Sequence, residues 1–530
     1  MWAKKVPAPL SLIWILLLIV LIPFPGWCSS SVGYPAVSSP APGQEDIAQG
    51  NREYVAGLYT QAIHTFMKVI QDNPGAPLLL MEAQWMLAKS FEAHGDIATA
   101  VEEYRSFMAN FPSNPHRDEA LLRWDTNRRL LEATRDGGKQ EDRRKDGTGL
   151  PSGDTERISK SIRIRGGQFL LFPAGTYGEL DTFLSQLENA GMNTLIVRVF
   201  QNRGDRKYSF VSGGPDVGVY FKTTHAPVVE DILTPLVEMA HRHHLRLFAW
   251  MTTRAMDWVP SNAPWWDVSY DPVRQERVKS HRLDLFNPEA VEYLHALYRD
   301  LAVYPIDGIF FQDDLVYRHQ EGFSAYAMTA FEKDFGVAPD PNLLYGGVGE
   351  GYRPLFWRWG GWKSRKILQM VDQMMSDARK IHPNLQFALN LNYETVLDPV
   401  NALAWLSQDL LEAVKYPFDY FSVMSYHRQM AKELRKDPEE AMDLVRRIGE
   451  KMISAVEDPS RVLLKIQTID WDTGVPLPRE ELRDVSVRAE QVPGTGVAFV
   501  FGGNSPPMDL LREVFLTREG QVVYRYLTNR

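Results

Sequence analysis

Gly308-Ile309-Phe310-Phe311-Gln312-Asp313-Asp314 runs three large apolar residues straight into two adjacent carboxylates, and Leu315, Val316 and Tyr317 follow. The apolar half has the make-up of a strand buried on both faces. An acidic pair beside such a strand is costly to bury unless the charges are paired or used. At a strand's end two acids serve as proton donor, nucleophile or cation clamp, because proximity drives their pKa values apart. The same pair also suits an N-cap or a turn, and the local pattern leaves both readings open.

The surrounding series gives the stretch its meaning. From residue 162 to 530 apolar runs alternate with helical patterns. The expected strands are 168–172, 194–200, 246–251, 308–311, 386–391, 420–424, 462–467 and 496–501. The expected helices include 180–190, 231–243, 290–301, 363–380 and 438–455. Eight strand–helix units in about 370 residues predict an α/β fold, a (β/α)8 TIM-type barrel with long loops. Working residues in that fold lie at strand C-terminal ends, and there the sequence turns polar. Strand three ends in Thr252, Thr253 and Arg254, and strand five in Asn390, Asn392 and Glu394. Strand six gives Ser425, Tyr426 and His427, and strand seven Thr468, Asp470, Trp471 and Asp472. Strand eight ends in Gly502, Gly503 and Asn504, with no basic residue nearby in sequence to make a phosphate site of them.

A chain of 530 residues calls for two or three domains. Its formal charge of -9 argues against nucleic acid as a partner. Residues 1–30 read as a secretory signal peptide: Lys4 and Lys5 precede an apolar run, and Pro23, Pro25 and Gly26 break it before small residues. An uncleaved N-terminal anchor, the chain's one membrane contact, is the alternative. Cys28 is the single cysteine, so cleavage beyond it leaves an exported protein without disulfides or thiolate sites. A bacterial periplasmic or cell-surface location follows. His241, His243 and His244 precede strand three, on the stabilising side of a barrel, and no metal or cofactor is expected.

Residues 31–45 form a Ser/Pro/Gly-rich leader. Within 46–133, Gly57, Ala62, Phe66 and Pro74 recur as Gly95, Ala100, Tyr104 and Pro112, each displaced by 38 residues. Small residues where helices touch, an aromatic one turn on and a closing proline mark an all-α tetratricopeptide-like unit, whose usual period is about 34. Two repeats dock on a protein partner, on themselves or on the next domain; a helical spacer is the competing reading. Residues 134–161 are charged and poor in large apolar residues, and read as a disordered linker.

The barrel portion resembles the C-terminal glycoside-hydrolase domain of the PgaB family, bacterial periplasmic proteins that deacetylate and cleave poly-β-1,6-N-acetyl-D-glucosamine. The likeness runs in order through Gly218–Phe221, Phe248–Met251, Arg282–Phe286, Tyr298–Leu301, Asp307–Asp314, Trp362–Arg365, Met424–Tyr426 and Ile466–Trp471. It implies a barrel with an elongated, acidic glycan groove, an amino-sugar polysaccharide as substrate, and Asp313 and Asp314 as catalytic residues. Gln312 stands where the family usually has His, and Ser425 where it often has Pro. No deacetylase domain precedes the barrel, so that activity is not carried over.

Glycoside cleavage needs an acid for the leaving oxygen and a second group that attacks or stabilises the sugar carbon. One of Asp313 and Asp314 is expected to be the acid, the other to position it or to orient a substrate acetamido group. Asp470 and Glu394 are alternative second carboxylates. Trp250, Tyr426 and Trp471 are candidate sugar platforms, or else part of the barrel wall. Arg254 and Asp284 either hydrogen-bond hydroxyls or clasp each other. Asn390 and Asn392 suit an acetamido group, or hold strand ends. A non-catalytic polysaccharide scaffold is the second expectation for the whole protein.

Overall fold

A computed structural model describes residues 43–55, 58–143, 162–272, 274–345 and 352–516. The signal segment, most of the leader and residues 144–161 lie outside the described residues. Eight parallel strands close into a barrel: β1 (Arg165–Leu171), β2 (Thr194–Arg198), β3 (Arg246–Met251), β4 (Gly308–Phe311), β5 (Gln386–Asn392), β6 (Tyr420–Met424), β7 (Val462–Gln467) and β8 (Gly496–Gly502). Each pairs with its sequence neighbours, and β1 closes on β8. The expected strands are all present, four of them to the residue.

β4 is buried at all four positions. Its first residue has to be small: a methyl group on Gly308 would lie 2.2 Å from the Phe248 ring on β3. The N-terminal end of the barrel is plugged by Arg246, whose guanidinium reaches Thr194 at 3.0 Å, Tyr420 at 3.1 Å and Gln386 at 3.2 Å. Contacts from β3 to β5 and β6 skip the intervening strands and so cross the lumen. The opposite end is left as the mouth.

A segment the periodicity did not announce sits between β3 and the helix Pro288–Ala302. Trp266–Asp271 and Glu276–Leu283 pair as an antiparallel hairpin. Its inner strand is stitched to the loop after β4, Tyr270 N–H donating to Gln320 O at 2.8 Å and Phe323 N–H to Val268 O at 2.8 Å. The β4 loop is thereby held in place rather than left free.

The N-terminal region forms five helices, α1 (Gln44–Val55), α2 (Tyr59–Asp72), α3 (Pro77–His94), α4 (Ile97–Asn110) and α5 (Arg117–Arg143). Ala62, Ala100, Phe66 and Tyr104 are wholly buried, as the repeat pattern requires. Beneath them Glu92 accepts from Arg123 Nη1 at 2.9 Å and from the Tyr104 hydroxyl. α5 continues to Arg143, past the expected linker boundary. It packs against the helices Pro354–Ile381, Pro399–Leu406 and Pro438–Val456, which follow β4, β5 and β6. Among the described residues no helix is long and apolar enough to cross a membrane.

Candidate active site in the barrel mouth

The backbone turns at Asp313–Asp314, and the two carboxylates part company. Asp314 is buried and points sideways to the end of β3. Its Oδ2 accepts from the Thr252 hydroxyl at 2.6 Å and from the N–H groups of Arg254 and Ala255, both at 2.7 Å. Its Oδ1 accepts from the Thr253 hydroxyl at 2.7 Å and the Thr253 N–H at 3.0 Å. The polar end of strand three is therefore a cradle for Asp314. With five donors converging on it, that carboxylate is an acceptor committed to the scaffold.

Asp313 is exposed to solvent and makes no ion pair or hydrogen bond to another described residue. It is at the same time closely ringed by protein mass, which pushes its carboxyl up; Asp314 adds to the rise, while Lys465 and Arg282 oppose it. A side chain open along one side only is still poorly hydrated on the others.

Lys465 lies below. It belongs to β7, yet its Nζ is 3.4 Å from Asn390 Oδ1 on β5 and 5.3 Å from the Phe310 ring on β4. Reaching strands two and three places away is possible only through the lumen. Burial lowers its ammonium to about 7, against the pull of Asp313. Tyr426 covers it at 5.8 Å and packs against Trp471 with the ring centroids 5.4 Å apart and the planes tilted by 60°. Tyr426 is buried, Trp471 half-buried, and the Trp471 Nε1 finds no acceptor. Trp250 is likewise buried, against Phe200, with an unpartnered Nε1.

The remaining expected residues are placed differently. Arg254 is fully buried and is a clasp, but its partners are Asp267 Oδ2 at 2.9 Å and Glu321 Oε2 at 2.7 Å, not Asp284. Asp284 is buried too and accepts from the Tyr317 hydroxyl at 3.1 Å and Phe286 N–H at 3.0 Å. Neither residue is open to a sugar hydroxyl: the correction comes from the hairpin, which brings Asp267 and the β4 loop over Arg254. Asn392 is held by Gln408, Nδ2 donating to Oε1 at 3.1 Å. Asp470 receives Arg428 Nη1 at 2.9 Å and caps its own turn through Thr473 N–H at 2.9 Å, which holds its carboxyl below the usual range. Burial pushes Glu394 up to about 7, but its charged neighbours are Glu433 and Asp398, not Asp313.

Sequence reasoning missed Lys465 and Arg318, and met Arg282 only as the first residue of the family-like stretch Arg282–Phe286. Lys465 was visible as a charge inside the apolar run Val-Leu-Leu-Lys-Ile-Gln, a position where an unpaired ammonium is disfavoured. The two arginines carry no comparable signal. Among the described residues no cluster of three or more metal-type ligands occurs.

A closed parallel barrel with an open carboxyl at its C-terminal mouth is the architecture of many barrel enzymes. Residues 173–499 match the model described as hypothetical glycosyl hydrolase family 13, and the chain belongs to that family. Residues 82–114 match a tetratricopeptide repeat. A poly-beta-1,6-N-acetyl-D-glucosamine N-deacetylase of Escherichia coli (strain K12) is 24% identical over 258 residues, 46% of this chain and 37% of that protein. The match thus spans little more than a third of the curated relative. The PgaB (BpsB) glycoside hydrolase domain from Bordetella bronchiseptica superposes with a TM-score of 0.54 at 21% identity, over 67% of this chain and 99% of that domain. The shared fold is the finding there.

Proposed function

We propose that the protein is an exported endo-acting glycoside hydrolase that cleaves poly-β-1,6-N-acetyl-D-glucosamine in the periplasm or at the cell surface. Asp313 is the general acid, and Asp314 is a positioning residue that fixes the turn carrying it. The observation that carries this reading is the division of the pair: one carboxyl open in the mouth with a raised pKa, the other spent on the scaffold. Lys465, Asp314 and Arg282 bear most strongly on the Asp313 charge, and the one carboxylate among them, Asp314, is committed to the scaffold. That favours the substrate's own 2-acetamido oxygen as the nucleophile, a known exception to the two-carboxylate scheme.

In this scheme Asp313 protonates the glycosidic oxygen as the C1–O bond breaks. The acetamido oxygen bonds to C1, and water, deprotonated by Asp313, then reopens the ring intermediate. An N-acetylated unit at the cleavage point follows, with any free amines of a partially deacetylated chain lying further along. Trp471 supplies apolar surface for a sugar ring, with Tyr426 and Trp250 as the wall behind it, and Asn390 and Asn392 supply hydrogen bonds; Asp470 steadies the β7 loop.

The test is incubation of the full chain with the purified polymer and mass analysis of the products. Shorter oligomers from the parent and none from Asp313→Asn support the proposal. Undiminished turnover by Asp313→Asn overturns the assignment, and retention of an uncut polymer by the parent points to a binding scaffold.

A further inference from the structure

Arg428 stands in the first turn of the helix His427–Leu434, just past β6, and its guanidinium ties that helix to two later segments. Nη1 donates to Asp470 Oδ2, in the turn after β7, at 2.9 Å. Nε and Nη2 grip the two oxygens of Glu481, in the first turn of the helix Arg479–Glu490, at 2.7 Å and 2.6 Å. His427 is buried beside it, with Nε2 2.8 Å from the same Glu481 Oε1. The Arg428 backbone is fixed as well, its N–H donating to Gln467 Oε1 at the end of β7 at 3.1 Å. A planar guanidinium serves two carboxylates at once in this way, which an ammonium cannot do.

What the grip immobilises is the turn that carries Trp471. Asp470 N–H donates to Val475 O at 2.8 Å and Gly474 N–H to Asp470 O at 2.7 Å, closing a short loop. Asp470 Oδ1 accepts from the N–H groups of Asp472 and Thr473 at 3.1 Å and 2.9 Å, which leaves Oδ2 to Arg428. Trp471 is half-buried in this loop, and residues 472–476 beside it are exposed. Its indole Nε1 has no acceptor, so no hydrogen bond of the side chain fixes the ring. The ring is placed by the loop beneath it and by Tyr426, which in turn covers the lumen residue Lys465. The path from Arg428 to the barrel mouth is therefore continuous: guanidinium, Asp470, Trp471, Tyr426.

We propose that Arg428 is a positioning residue for glycan binding: through Asp470 it holds Trp471 against Tyr426 as a stacking surface at the mouth. It thereby sets affinity for the sugar chain and leaves bond cleavage to Asp313. The inference rests on the glycan reading above and adds a residue to it. The competing role is a clip that stabilises the fold alone, in which case glycan affinity does not run through Trp471.

The experiment measures calorimetric binding of a β-1,6-linked N-acetylglucosamine oligomer to the full chain carrying Asp313→Asn, alone and combined with Arg428→Gln, Trp471→Ala or both. Steady-state cleavage of the purified polymer by Arg428→Gln, with Asp313 intact, accompanies it. Arg428→Gln and Trp471→Ala are each expected to weaken binding about tenfold, and the two together no more than Trp471→Ala alone. In cleavage KM rises by a similar factor while kcat stays within about twofold. Arg428→Lys reaches one carboxylate at a time and recovers part of the affinity. Undiminished affinity in Arg428→Gln, losses that multiply in the combined variant, or a fall in kcat at unchanged KM overturns the positioning role and leaves the glycan reading intact. No binding by Asp313→Asn together with no cleavage by the parent overturns the glycan reading and this inference with it. Should Arg428→Gln fold poorly, Asp470→Asn cuts the same link from its other end, and its loss of affinity must likewise vanish in the Trp471→Ala background.

Discussion

The Thr252 hydroxyl donates a 2.6 Å hydrogen bond to Asp314, tying the end of β3 to the turn that follows β4. Four further donors from residues 253–255 complete the grip. Neighbours in sequence, Asp313 and Asp314 thus differ in surroundings: Asp314 is tied into the scaffold, and Asp313 is left open in the barrel mouth.

Their substitutions should separate accordingly. Asp314→Asn turns an amide N–H₂ toward N–H and O–H donors, which is expected to cost about 2–4 kcal/mol of stability in urea denaturation. Asp313→Asn, at an exposed and unpaired position, should change stability by less than about 0.5 kcal/mol while abolishing cleavage. Equal losses of stability in the two variants would contradict this division.

On the proposed mechanism Lys465 should set the alkaline edge of activity. Its charge opposes the rise in the Asp313 carboxyl, so Lys465→Met should let that carboxyl rise further and move the alkaline limb of kcat/KM to higher pH by about one unit. The lysine's folded value of about 7 lies below its ordinary 10.5, so the unfolded chain holds more protons between those pH values. Parent stability from this group therefore rises with pH across that window. Lys465→Met should be the more stable protein at pH 6, with the gap narrowing toward pH 10, as followed by denaturation at both ends.

Glu394 has the opposite sign. Its folded value of about 7 is above the ordinary 4.5, so its favourable contribution is complete below 4.5 and is lost as pH rises through 7. Glu394→Gln should gain on the parent between pH 5 and pH 7.5 in unfolding free energy. A constant difference across that range would show that the carboxyl titrates normally.

Removing the clasp should be severe. Arg254→Met leaves the Glu321 charge buried beside an apolar side chain, at an expected cost of about 3–5 kcal/mol. Arg254→Lys keeps a charge but cannot serve Asp267, Glu321 and the Leu283 and Val316 carbonyls together, and should recover only part of the loss in thermal melting.

The barrel was legible because its strands are short apolar runs closed by polar residues, a pattern that Gly308–Phe311 and Val462–Gln467 carry almost without interruption. The hairpin was not, because Asp-Val-Ser-Tyr-Asp and Glu-Arg-Val-Lys-Ser-His-Arg offer little apolar signal. Losing the hairpin meant losing Asp267 as the partner of Arg254, and Asp284 stood as the one candidate for a clasp beside the sugar-binding alternative. The roles of Asp313 and Asp314 were beyond local reading as well, since they depend on which N–H groups another strand's loop brings within 3 Å. Lys465 was written plainly in the sequence, but its reach across the lumen to β4 and β5 exists only once the barrel closes.

α5 rests on three of the barrel's outer helices, and Arg129 on it pulls down the half-buried Asp409 carboxyl just past one of them. A partner gripped by the repeats would accordingly be mounted at a set reach from the barrel mouth, as on a bracket. Cargo delivered that way meets the mouth at a high effective concentration, governed by the stiffness of the mount rather than by diffusion through bulk solvent.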